Sequence, residues 1–91
     1  MTSIGHLIDG QRINGGQRTQ PVYNPATGAS ELSVQLADVA TVQSAIASAE
    51  AAFPAWRNTP PLKRARVMSK LKELLEANAD KICQLITDEH G

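Results

Sequence analysis

The sequence predicts an α+β chain in which an N-terminal β-hairpin and strand precede three amphipathic helices. Three observations carry that expectation. Apolar residues flank an Asp9-Gly10 pair, residues 31–36 alternate strictly, and from residue 39 onward apolar residues recur at helical spacing.

His6-Leu7-Ile8-Asp9-Gly10-Gln11-Arg12-Ile13 reads as a hairpin, because Asp-Gly tolerates the positive φ angles of a type I′ turn. Asn14-Gly15-Gly16-Gln17 is then expected to be a flexible polar turn. It lacks G-x-G-x-x-G or G-x-x-x-x-G-K spacing and no helix follows it, so it is not read as a phosphate cradle. Pro21-Val22-Tyr23 is a short extended piece, and Asn24-Pro25 and Thr27-Gly28 are turn formers. In Glu31-Leu32-Ser33-Val34-Gln35-Leu36, Leu32, Val34 and Leu36 share one face, which predicts a half-buried strand with a solvated second face.

Asp38 is placed to cap the first helix. Val42, Ala45, Ile46, Ala49, Ala52 and Phe53 then form one stripe, and the alanines favour helix and close approach. Pro54 removes the N–H that would bond the Glu50 carbonyl, so the helix is expected to end or kink near Phe53, with Trp56 anchoring that corner. Thr59 is expected to cap the second helix, with Pro60 and Pro61 in its first turn. Val67, Met68, Leu71, Leu74 and Leu75 give that helix an apolar face, and Lys63, Arg64, Arg66, Lys70 and Lys72 occupy most of the rest. A solvated basic side is preferred over a nucleic-acid or membrane surface, because Glu73 and Glu76 offset the charge and no aromatic residue is interleaved. Asn78 is expected to end this helix and cap a last one, whose apolar side is Ala79, Ile82, Leu85 and Ile86. Asp80 suits its N-terminus and Gly91 a position just past its end. The expected segments are strands within about residues 6–36 and helices over about 39–53, 60–77 and 79–90.

At 91 residues the chain makes at most one small domain, with a thin core inventory of one Phe, one Trp and one Tyr. A formal charge of zero argues against strong attraction to nucleic acid or anionic lipid. A single cysteine, Cys83, forms no internal disulfide, and residues 1–6 lack the pattern of a signal peptide. A soluble, cytoplasmic protein with no nucleic-acid or membrane partner is the resulting expectation.

The search for chemistry is negative. His6 and His90 have no partner at metal-ligand spacing, and Asp88, Glu89 and His90 point in different directions on a helix. Cys83 lies on or beside an apolar face, where a small buried thiol is the commoner finding than a nucleophile.

Pro21-Val22-Tyr23-Asn24-Pro25-Ala26-Thr27-Gly28 and Ala51-Ala52-Phe53-Pro54-Ala55-Trp56 closely resemble the amino-terminal region of the aldehyde dehydrogenase superfamily. Thr59-Pro60-Pro61-Leu62-Lys63-Arg64-Ala65-Arg66-Val67-Met68, Lys72-Glu73-Leu74-Leu75-Glu76 and Leu85-Ile86-Thr87-Asp88-Glu89-His90-Gly91 are similar to its CoA-acylating methylmalonate-semialdehyde branch, where many relatives carry Thr in place of His90. The likeness runs from His6 to Gly91. It implies that residues 1–91 are the N-terminal portion of an incomplete NAD-binding domain. It also implies an enzyme that oxidises a semialdehyde with NAD through a cysteine thioester and passes the acyl group to coenzyme A. The family's nucleophilic cysteine, carboxylate and dinucleotide core lie beyond the part that matches. The resemblance therefore assigns no catalytic, cofactor-binding or metal-ligating residue here, and Cys83 does not match the nucleophile. In relatives, backbone carbonyls near the Val22-Tyr23 position bind a structural monovalent cation.

Neither NAD nor coenzyme A is expected to bind this chain alone. Its partners are expected to be copies of itself, or the rest of the enzyme, through apolar helix faces that include Ile46, Phe53, Leu71 and Leu74. Burying one leucine contributes roughly 1.5–3 kcal/mol, so several left uncovered outweigh a small domain's margin. Marginal stability or self-association is expected. The alternative is a stand-alone helical module that self-associates or docks on a partner.

Overall fold

The structure, a computed structural model, describes residues 2–91; Met1, where the expected 1–91 segment begins, lies outside them. Five short strands are followed by three helices: β1 (Thr2–Ile4), β2 (His6–Ile8), β3 (Gln11–Ile13), β4 (Thr19–Tyr23), β5 (Ser30–Gln35), α1 (Val39–Asn58), α2 (Pro61–Ala77) and α3 (Ala79–His90). The fold class is α+β.

β2 and β3 form the Asp9-Gly10 hairpin, with φ of 53° and 70° at the turn, as a type I′ turn requires. The other sheet has the order β1-β5-β4, with β4 antiparallel to β5 and β1 parallel to it. β1 went unread in the sequence, because Thr2-Ser3-Ile4 becomes a strand only through its partners Leu32, Ser33 and Val34 thirty residues on. β5 is thus the central strand. Its second face is less solvated than alternation suggested, since Ser33 and Gln35 are half-buried like Leu32 and Val34. The Asn24–Gly28 turn between β4 and β5 is self-bonded. The Asn24 side-chain oxygen accepts from the Ala26 N–H at 2.9 Å, the Asn24 carbonyl accepts from Gly28 N–H at 2.7 Å, and Thr27 Oγ1 accepts from Ala29 N–H at 3.2 Å.

Asp38 caps α1 as expected, accepting from the Thr41 N–H at 2.8 Å. The helix does not stop near Phe53; it runs through Pro54 to Asn58 and carries Trp56 inside it. Proline deletes one ladder bond without ending the helix, because the alanine-rich turns before it favour the helical state. Thr59 also differs from expectation. It closes α1, its N–H donating to the Trp56 carbonyl at 3.1 Å and its hydroxyl to the Ala55 carbonyl at 2.8 Å. Its side chain is therefore not available to α2, which starts from Pro60 with no side-chain cap. Asn78 likewise serves the helix before it, its Nδ2 donating to the Leu74 carbonyl at 2.8 Å, and gives α3 no side-chain cap. Gly91 terminates α3 with φ 88° and donates to the Thr87 carbonyl at 3.0 Å.

Packing is nearly absent. No described side chain is fully buried, and among the helices only α2 and α3 touch appreciably. The molecule measures 48 × 34 × 15 Å, close to one helix thick. Its radius of gyration is 16.9 Å, where a compact domain of this length has about 12 Å. The described residues form one layer with no second layer packed on it.

Candidate functional site

Among the described residues, polar groups from different segments gather at two hollows. The first is a knot at the start of α1. The His6 ring nitrogen Nε2 lies 3.0 Å from the Gly15 carbonyl, tying β2 to the Asn14–Gln17 loop. A methyl group on Gly15 would overlap the Thr41 side chain, and one on Gly16, whose φ is 90°, would overlap the Leu36 carbonyl. The loop expected to be free is instead pressed against the first turn of α1 and the chain that enters it. The adjacent Gly-Gly pair was the available sequence signal, since only glycine permits so close an approach twice in succession. Asp38 Oδ1 also accepts from Thr41 Oγ1 at 2.6 Å. That hydrogen bond, followed by the one from the Thr41 N–H, holds the Asp38 carboxyl below the usual carboxylate range.

The knot has no nucleotide chemistry. Gly15-Gly16 leads into strand β4 rather than a helix, and the N-terminus of α1 is already occupied by the Asp38 carboxylate. The knot thus does not fit a dinucleotide's phosphates.

The second place is a hollow of about 430 Å³ between the β4–β5 turn and the end of α3, lined by Val22, Tyr23, Asn24, Thr27, Asp88 and Glu89 among others. It is the setting in which the family resemblance implies a monovalent cation. Two carboxylates and backbone oxygens are hard donors, but no cluster of three His, Cys, Asp or Glu side chains exists among the described residues. Asp88 also accepts from Gln84 Nε2 at 2.7 Å.

The remaining candidates stay apart. His90 ends α3, far in sequence from His6 in the knot. Cys83 is exposed, not buried as its neighbours suggested, because the apolar side of α3 itself has no cover. On α2, Lys70 pairs with Glu73 at 3.4 Å and Lys72 with Glu76 at 3.7 Å, all in solvent. Arg64 departs from that basic side: it is half-buried, and its Nε is shut off from water without an acceptor.

The same fold occurs in known proteins. The family profile described as aldehyde dehydrogenase family matches residues 13–91. Over its whole length the chain is 50% identical to malonate-semialdehyde dehydrogenase of Pseudomonas aeruginosa, of which it covers 18%. The crystal structure of methylmalonate-semialdehyde dehydrogenase from Oceanimonas doudoroffii superposes with a TM-score of 0.97 at 59% identity, over 100% of this chain and 19% of that one. A Sinorhizobium meliloti 1021 protein assigned as a methylmalonate-semialdehyde dehydrogenase, solved with NAD, superposes with a TM-score of 0.97 at 41% identity, with the same coverage of 100% and 19%. The part matched is the N-terminal part, and the chain spans about one fifth of the length of these relatives.

Proposed function

Because the chain belongs to the aldehyde dehydrogenase family, we propose that it is the N-terminal segment of an NAD-dependent, CoA-acylating malonate- or methylmalonate-semialdehyde dehydrogenase, without activity by itself. The observation that carries this reading is the superposition on the Oceanimonas doudoroffii enzyme over every residue, at 59% identity. The absence of function in isolation rests on chemistry. In the knot the Thr41 hydroxyl and the Asp38 carboxylate are spent on capping α1, and Cys83 is an exposed thiol that lines neither the knot nor the hollow. What these residues supply is a shaped surface: a sheet fixed to the start of α1, and helices whose apolar sides await cover. The partner is the rest of the enzyme, meeting faces that include Ile46, Phe53, Leu71 and Leu74. The setting consistent with one exposed, unpaired thiol is the reducing cytoplasm. No helix among the described residues is long and apolar enough to cross a membrane.

The test supplies malonate semialdehyde, NAD and coenzyme A to the 91-residue chain and follows NADH absorbance and acyl-CoA formation. No turnover and no NAD binding by calorimetry are expected, and either one, reproducibly observed, removes the reading. A second reading, a module that associates with itself, is favoured by the same uncovered faces, and the solution mass of the chain separates it.

A further inference from the structure

We infer that Arg64 is the polar anchor of the covered face of α2, and that the remaining body of the enzyme presents a carboxylate to its guanidinium. The inference rests on the segment reading and adds a residue and a chemistry to it. Arg64, Val67, Met68, Leu71 and Leu75 follow one another at helical spacing, which puts Arg64 at the N-terminal end of the apolar stripe, not on the basic side. The other members of that stripe are exposed: Val67 52%, Met68 56%, Leu71 46% and Leu75 50%. Arg64 alone is half-buried, with an Nε that reaches neither water nor a protein acceptor. Lys70 and Lys72 differ, each having a glutamate within 4 Å on its own helix.

A guanidinium stays protonated, and its N–H groups must be satisfied wherever it is covered. Covering the stripe removes water from its remaining N–H groups as well. The acceptor then has to come from the covering body. A carboxylate answers both the fork of the Nη groups, which remain open to a partner, and the charge left behind when the pair is desolvated.

The amount of open surface says how large that body is. The chain exposes 7532 Å², about half as much again as the ~5,100 Å² of a compact monomer of its mass. An excess on the order of 2,000 Å² is one side of a large obligate interface. In the Oceanimonas doudoroffii enzyme the same fold is 19% of the chain, so such a body is at hand there.

The experiment grafts this chain in place of the matching 18% of the Pseudomonas aeruginosa malonate-semialdehyde dehydrogenase. The graft is compared with its Arg64→Met, Arg64→Lys and Lys63→Met variants. The parent graft is expected to assemble and to form NADH from malonate semialdehyde. Arg64→Met should lower its Tm by about 3–8 °C, Arg64→Lys by less, and Lys63→Met by nothing measurable. If Arg64→Met yields no folded protein, an Arg64→Lys variant melting below the Lys63→Met control still supports the anchor. An assembled, active graft in which both Arg64 variants melt with that control overturns the anchor and leaves the segment reading standing. A graft that never assembles overturns the segment reading, and the partner's identity with it. A crystal structure of the graft showing only carbonyls or water within 3.5 Å of the Arg64 Nη groups overturns the carboxylate.

Discussion

At Asp38 a single carboxylate oxygen takes both the amide and the hydroxyl of Thr41, and that pair sets how α1 responds to acid. The carboxyl is held below its usual range, so the folded-state pKa is lower than the unfolded one. Stability from such a group is fully present above the unfolded value and lost as pH falls through the folded one. The first turn of α1 should therefore be constant at neutral pH and weaken only below about pH 4. Asp38→Asn keeps an acceptor and should remove that dependence, whereas Asp38→Ala should weaken the turn at every pH. Amide exchange at Thr41 against pH reads all three. The glycines next to it are not equivalent to those elsewhere. A side chain at Gly16 meets both positive φ and the Leu36 backbone, which cannot swing aside, while at Gly28 the space is open. Gly16→Ala should destabilise by more than ~2 kcal/mol and Gly28→Ala by only ~1 kcal/mol. Urea midpoints of the two variants in the assembled enzyme give the ranking.

Among the elements, α1 is where local propensity and observed structure part. Pro54 sits well inside a 20-residue helix and leaves one ladder bond unmade. Pro54→Ala restores that donor and is expected to stabilise the helix by about 1–3 kcal/mol, visible as added ellipticity at 222 nm and a higher melting temperature. A loss of helix would mean that the proline's geometry is needed by whatever packs there. Thr59 shows a related effect at the junction. A lone Thr before two prolines has the signature of an N-cap, yet the hydroxyl reaches back one turn to Ala55. Thr59→Val should therefore cost only a surface hydrogen bond, about 0.5–1 kcal/mol, and fray the end of α1 and not the start of α2. The strands show the opposite balance. The Asp9-Gly10 turn and the Asn24–Gly28 turn are written in consecutive residues and form as written.

Over the whole molecule the governing fact is area. A layer 15 Å thick with Ile46 61%, Phe53 58% and Leu74 51% exposed has little to hold it by itself. The 91-residue chain is expected to form oligomers or to melt without a sharp transition. Ile46→Glu with Leu74→Glu should shift it toward monomer in light scattering, and the same pair placed in the assembled enzyme should prevent assembly. A monodisperse wild-type monomer with a cooperative melt would contradict the one-layer account. The sequence alone determined the order of strands then helices, the hairpin turn, the cap at Asp38, the end at Gly91 and the family, because each is carried by neighbouring residues or by short motifs. Only the tertiary structure decided that β1 pairs with β5, that Gly15-Gly16 is clamped against the start of α1, that α1 passes through Pro54 and that the Arg64 Nε is buried without a partner. Those features depend on residues brought together from distant parts of the chain, and on which surfaces are left without cover, and no local pattern encodes either.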